Sequence, residues 1–202
     1  MGGKSGGTRG YHYLMTIIAG IGRGPVNEIV EIVSNEKTIW RGSATDDTPV
    51  AINEPNIFGG EDKEGGVQGA FRFLTGAADQ VLPATTTVSV GSSGPVQTTQ
   101  IKNVKELIGG DSGEWRGFSA VIFDGLVASM NPYVKEWKYR HRRSTKGWHN
   151  DDPWYPEKAT IYLSDGNIHA MNPAHIIYEC YTNPDWGKGE PPEALDHAPS
   201  RA

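Results

Sequence analysis

Glycine and proline interrupt this chain so often, 26 and 13 times in 202 residues, that many short strands and turns are favoured over long helices. The segments between these interruptions are apolar, β-branched and aromatic, at strand length. A nearly unbroken apolar run over residues 11–19 predicts a strand buried on both faces, with Gly20-Ile21-Gly22-Arg23-Gly24-Pro25 closing it in a tight turn. Residues 28–33 and 37–40, parted by Ser34-Asn35-Glu36, read as a hairpin. A second hairpin is expected from residues 52–59 and 66–74 around the acidic tip Glu61-Asp62-Lys63-Glu64. A third, Thr-rich and lightly hydrophobic, spans residues 85–101 and reads as an exposed insertion. Residues 104–108 suggest one helical turn stopped by Gly109-Gly110. Strands follow at 117–123, 126–130, 133–143 and 159–163, with a Trp- and Asp-rich loop over 144–156. Near the C-terminus Asn172 caps a helix that starts on Pro173 and stops before Asn183-Pro184, with Ala174, Ile177 and Tyr181 on the face expected to dock.

The expected fold is therefore mainly β, a barrel or sandwich with a hairpin insertion and one or two short helices. Its expected organisation is a Gly-rich flexible arm at 1–10, β-domain sequence at 11–80 and 115–189, and an inserted hairpin or arm at 81–114. Residues 190–202 read as a disordered tail or the cut-short start of a further domain.

Composition removes several function classes. A single Cys180 permits no intrachain disulfide and no cysteine cluster for zinc or iron–sulfur; on the helix it reads as a packed thiol. A formal net charge of −5 argues against nucleic-acid binding by the whole domain. No segment reaches the apolar length that crosses a bilayer as a helix.

The candidate sites are few. Gly20-Ile21-Gly22-Arg23-Gly24 sits where a phosphate loop would, but strand-like sequence follows it in place of a helix. Residues 135–146 are basic. As a strand they place Lys138, Arg140 and Arg142 on one face and Trp137, Tyr139, His141 and Arg143 on the other. Such a row of cations could track a nucleic-acid backbone, face solvent, or pair with carboxylates of a neighbouring subunit. His141, His149, Asp151 and Asp152 match no metal-site spacing, and Trp148, Trp154 and Tyr155 suggest docking in that loop. His175 reads as a surface or subunit contact. No nucleophile elbow, Cys–His arrangement or His-Glu-x-x-His is present, so no catalytic, cofactor or metal residues are assigned and no enzyme is expected.

Several segments, taken in order, resemble the central hub proteins of phage tail tips, the host-specificity family of long-tailed, lambda-like phages. They are Gly24-Pro25-Val26-Asn27-Glu28-Ile29 with Trp40-Arg41-Gly42, then Asn56-Ile57-Phe58-Gly59-Gly60, then Trp115-Arg116-Gly117-Phe118. Asn131-Pro132-Tyr133-Val134-Lys135-Glu136-Trp137 follows, with Glu136 where the family commonly has Pro. Met171-Asn172-Pro173-Ala174-His175-Ile176-Ile177-Tyr178-Glu179 and Thr182-Asn183-Pro184-Asp185-Trp186-Gly187-Lys188-Gly189 complete the series, which covers most of residues 11–189.

The resemblance implies the N-terminal portion of a virion structural protein, made in the host cytoplasm and located at the tail tip. It implies a homotrimer whose β-domains ring a lumen, joining the tail tube and distal tail protein to tail fibres. The tape-measure protein and, transiently, DNA would pass through, and contact with the host surface would be indirect. Lys138, Arg140, Arg142, Trp148, Trp154, His175 and Trp186 are the candidate subunit or lumen contacts. The alternative is a glycan-binding adhesion module of a phage tail, with Trp148, Trp154 and Trp186 stacking on sugars.

Overall fold

The computed structural model describes residues 11–60, 63–91, 97–129, 133–143, 155–158, 160–162, 169–184 and 187–195. The chain divides into two compact units, Met1–Arg142 and Arg143–Ala202. That boundary differs from the expected one, because the segment 81–114 belongs to the first unit's packing.

The first unit is built on a four-stranded antiparallel sheet in the order β1-β8-β5-β4, comprising β1 (His12–Arg23), β4 (Val50–Glu54), β5 (Val67–Leu74) and β8 (Phe118–Ser129). A second sheet, β3-β2-β9, contains β2 (Glu28–Ser34), β3 (Lys37–Ala44) and β9 (Trp137–Arg142). The ribbon of β6 (Thr86–Val90) and β7 (Gln97–Ile101) and the short helix α1 (Val104–Ile108) complete this unit. The fold is mainly β and antiparallel, as the sequence leads one to expect. Among the described residues the strands form stacked open sheets and no closed barrel.

Strand alternation divides β5 and β8 between two cores. Val67, Phe71, Phe73, Val121, Phe123 and Val127 face the second sheet, meeting Ile29, Ile32 and Ile39. Trp40 stands edge-on to Phe71 at 4.9 Å between ring centroids, and Trp137 lies 5.0 Å from Phe123. On the opposite face Ala70, Leu74, Ala120 and Ile122 are covered by Leu82, Ile101 and Val104. Ile101 and Val90 are buried, so the Thr-rich hairpin is a packed cover over the central sheet and not an exposed insertion. Its described apolar residues are few, but Val88, Val90 and Ile101 all lie buried or half-buried.

Three further expectations change. The run at 11–19 is an edge strand, half-buried on one face only; on the other, Leu14 is 73 % exposed and Ile18 is exposed too. The glycines at 20–24 do not end it, since β1 continues to Arg23 through a bulge between Gly20 and Gly22. The segments 117–123 and 126–130 form one strand, β8, with an extra residue at Val127 where Tyr13 pairs with Ala128 and Leu14 with Leu126.

The ends of β1, β5 and β8 are tied by three glycines. The Gly24 N–H donates to the Gly117 carbonyl at 3.0 Å, and the Gly117 N–H to the Gly76 carbonyl at 3.1 Å. A Cβ on Gly24 would sit 2.5 Å from the Gly76 carbonyl oxygen, and Gly76 and Gly117 have φ of 79° and 77°. Only glycine suits both the approach and the left-handed backbone. The Gly24–Pro25 peptide is cis.

The second unit contains a two-stranded ribbon, β10 (Thr160–Tyr162) with β11 (His169–Met171), and the helix α2 (Pro173–Thr182). Asn172 caps α2 as expected, its Oδ1 accepting from the Ala174 N–H at 3.0 Å, while its Nδ2 donates to the Lys158 carbonyl at 3.0 Å. The helix turns differently from the expected docking. His175 is buried and Tyr178, Glu179 and Thr182 are half-buried, whereas Ala174, Ile177 and Tyr181 are exposed. The inward stripe is thus the i, i+3, i+4, i+7 set starting from His175. Cys180 is exposed, not packed. Within the expected tail, Pro192–Ala194 forms a single 3-10 turn.

Candidate functional site

The basic stretch forms strand β9, and its alternation follows the sequence pattern from Trp137 to Arg140; beyond that a register shift against β2 leaves His141 exposed and Arg142 half-buried. Trp137 and Tyr139 pack against the core between the sheets, while Lys138 and Arg140 are exposed on the outer face. What the sequence does not reveal is the partner strand. β2 runs antiparallel beside β9 and sets Glu31 opposite Arg140 and Glu28 opposite Arg142. On the other side of β2, Glu31 also lies opposite Arg41 of β3.

Glu31 is therefore clasped from both flanks. Its Oε1 accepts from the Thr38 hydroxyl at 2.7 Å and from the Arg41 guanidinium at 2.5 Å, and Arg140 lies 3.4 Å from Oε2. Both arginine side chains are exposed while Glu31 is 7 % exposed, so the guanidinium groups lie over the carboxylate and keep their own heads in water. The Thr38 hydrogen bond, then Arg41, and more weakly Arg140 hold the Glu31 carboxyl below its ordinary pKa. Arg142 pairs with Glu28 at 2.8 Å, and Lys138 lies 3.4 Å from Glu136. All three candidate cations thus have carboxylate neighbours in their own chain. The row forms a charge lattice across β3-β2-β9, and its positive charge is largely balanced in place. The sequence signal for this was the Glu28-x-x-Glu31 spacing on a strand next to a basic one, legible only once pairing is known.

The remaining candidates separate. His175 is buried in the second unit, where burial lowers its pKa and Glu157 opposes that shift, so it is not the surface contact expected of it. Trp148, Trp154 and Trp186 lie outside the described residues, as do His149, Asp151 and Asp152. Among the described residues no three His, Cys, Asp or Glu side chains gather in a metal-binding group.

Two surfaces that sequence reasoning missed are exposed and apolar. One is the outer face and free edge of β1, where Tyr11, Leu14 and Ile18 lie, with Phe118 exposed near its end. Beyond β8, β1 pairs with no other described strand. The other is the face of α2 bearing Ile176, Ile177 and Tyr181. Between β1 and the ribbon there is also a cleft of about 320 Å3 with Asp124 among its lining residues. Compared with protein families and curated proteins, the chain matches no family model and no curated sequence.

Proposed function

We propose that this chain is a non-enzymatic virion structural protein, the hub at the tail tip of a long-tailed phage. In this reading it joins the tail tube or distal tail protein to the host-recognition apparatus, as a homotrimer around the lumen. The tape-measure protein passes through that lumen, and tail fibres attach beyond it. The ordered run of segments that resembles that family supports this reading.

The observation that carries the assembly part is β1. It is a 12-residue edge strand whose outward N–H and C=O groups pair with no described strand, and it carries exposed Leu14 and Ile18. Proteins that remain alone blunt such edges with charge, proline or a short strand length, and β1 has no charged residue between His12 and Arg23. Strand addition from a neighbouring chain would satisfy the backbone and cover the side chains together.

Light scattering of the purified chain, alone and mixed with the distal tail protein, tests the reading. The expected result is a particle three times the 22.0 kDa chain mass, or a stable complex with the distal tail protein, reduced to monomer by Leu14→Glu. A monomer at every concentration that ignores the distal tail protein overturns it.

A further inference from the structure

The cleft beside β1 has a chemistry distinct from that of the charged row on β9. Its floor is the paired glycines Gly69 and Gly125 of β5 and β8, which bring no side chain into it. Leu14 and Val90 give apolar walls, while the Met15 side chain turns to the opposite face and packs in the core between the two sheets. At its base is the Asp124 carboxylate, held by two hydroxyls. Thr16 donates to Oδ2 at 2.5 Å, and Thr99 lies 2.6 Å from Oδ1 and 3.2 Å from the Asp124 carbonyl.

The protons of this cluster are committed. Each threonine has a single hydroxyl proton, and both point at Asp124, so toward the cleft the hydroxyls and the carboxylate present lone pairs. Among the described residues no Lys, Arg or His lines the cleft to balance the carboxylate. A guest must therefore bring hydrogen-bond donors and positive charge. The lining holds one carboxylate, whereas calcium sites gather six to eight oxygens from several groups. The apolar walls leading to an acidic base suit an alkyl stem ending in a cationic head.

We propose that this cleft binds an alkylguanidinium or alkylammonium group, with its head on Asp124 and its stem between Leu14 and Val90. The group has two possible sources, an Arg or Lys side chain of another polypeptide or a small diffusible amine. The site shares Leu14 with the exposed face of β1 but does not rest on the assembly reading, because its polar contacts come from Asp124, Thr16 and Thr99 of the same chain.

The test is amide NMR of the full chain titrated with pentylguanidinium, and with pentylurea, which keeps the stem and loses the charge. Pentylguanidinium is expected to shift the amides of Gly69, Thr98, Thr99 and Gly125, with pentylurea at least about tenfold weaker, the size of one charge-assisted hydrogen bond. Asp124→Asn should weaken the cation by a similar factor. Thr98→Trp, at an exposed lining position, should block binding without touching the Asp124 hydrogen bonds, and so reports even if Asp124→Asn fails to fold. Acetyl-Gly-Arg-Gly-amide identifies the source. Binding as tight as pentylguanidinium assigns a polypeptide side chain, and exclusion of the peptide assigns a small amine. Equal binding of pentylurea, displacement of pentylguanidinium by equimolar calcium chloride, or no shift by about 10 mM overturns the proposal.

Discussion

Ile122 and Phe123 are neighbours in β8, both almost wholly inaccessible to water, yet they belong to different cores. Phe123 faces the β3-β2-β9 sheet and Ile122 faces the β6-β7 ribbon and α1. A central sheet covered on both sides buries adjacent residues, and this explains the unbroken apolar stretches 120–123 and 126–128 within β8. It also makes the ribbon part of the fold's stability.

The ribbon's contribution is measurable through one side chain. Ile101 is fully buried against Ile122 and its neighbours, so Ile101→Ala should cost about 2–5 kcal/mol in urea unfolding. Ile177→Ala, on the exposed face of α2, should stay within about 0.5 kcal/mol. Equal effects would show that the ribbon is not the cover described.

The clasp around Glu31 makes stability depend on acid. Its carboxyl is held below the ordinary value of 4.5, so the stabilisation is present above about pH 4.5 and disappears as pH falls through the lower folded-state value. Glu31→Gln should lose about 1 kcal/mol at neutral pH, a figure kept small because both arginines are exposed. The stabilities of wild type and variant should converge in acid. Parallel curves from neutral pH to pH 3, followed by urea midpoints, would refute the clasp.

Tyr139 offers a change in the opposite direction. Its ring packs beside Trp137 in the core, its hydroxyl is buried without a hydrogen-bond partner among the described residues, and burial raises its pKa. A buried unpaired hydroxyl carries a desolvation cost, so Tyr139→Phe should leave the protein as stable or more stable by up to about 1 kcal/mol. A clear loss in thermal or urea unfolding would mean that the hydroxyl is satisfied after all.

Local chemistry was the legible part of this chain. The hairpin at Ser34-Asn35-Glu36-Lys37 is where β-rich runs part, and Asn35 and Glu36 take φ of 46° and 65° to make the turn. The helix at Asn172 begins where its cap and proline require, and α1 stops at Gly109 with φ of 71°. Each of these signals lies within a few residues of its effect, so neighbours along the chain suffice to set it.

Faces and partners needed the tertiary structure. Within residues 11–19 the open face carries His12 and Thr16 beside Leu14 and Ile18 while the covered face is wholly apolar, a weak signal that only the place of β1 at the sheet edge makes decisive. In the same way Arg140 and Arg142 look like free cations until β2 brings Glu31 and Glu28 alongside from more than a hundred residues away. Sequence alone determined the Asn35-Glu36 hairpin turn, the cap of α2 and the end of α1, because those are short-range steric and hydrogen-bonding preferences. It did not show that β1 runs on through residues 20–23 or that β8 is continuous. Which apolar face meets a core and which charge meets its counter-ion was decided by strand order, a long-range property that no local pattern encodes.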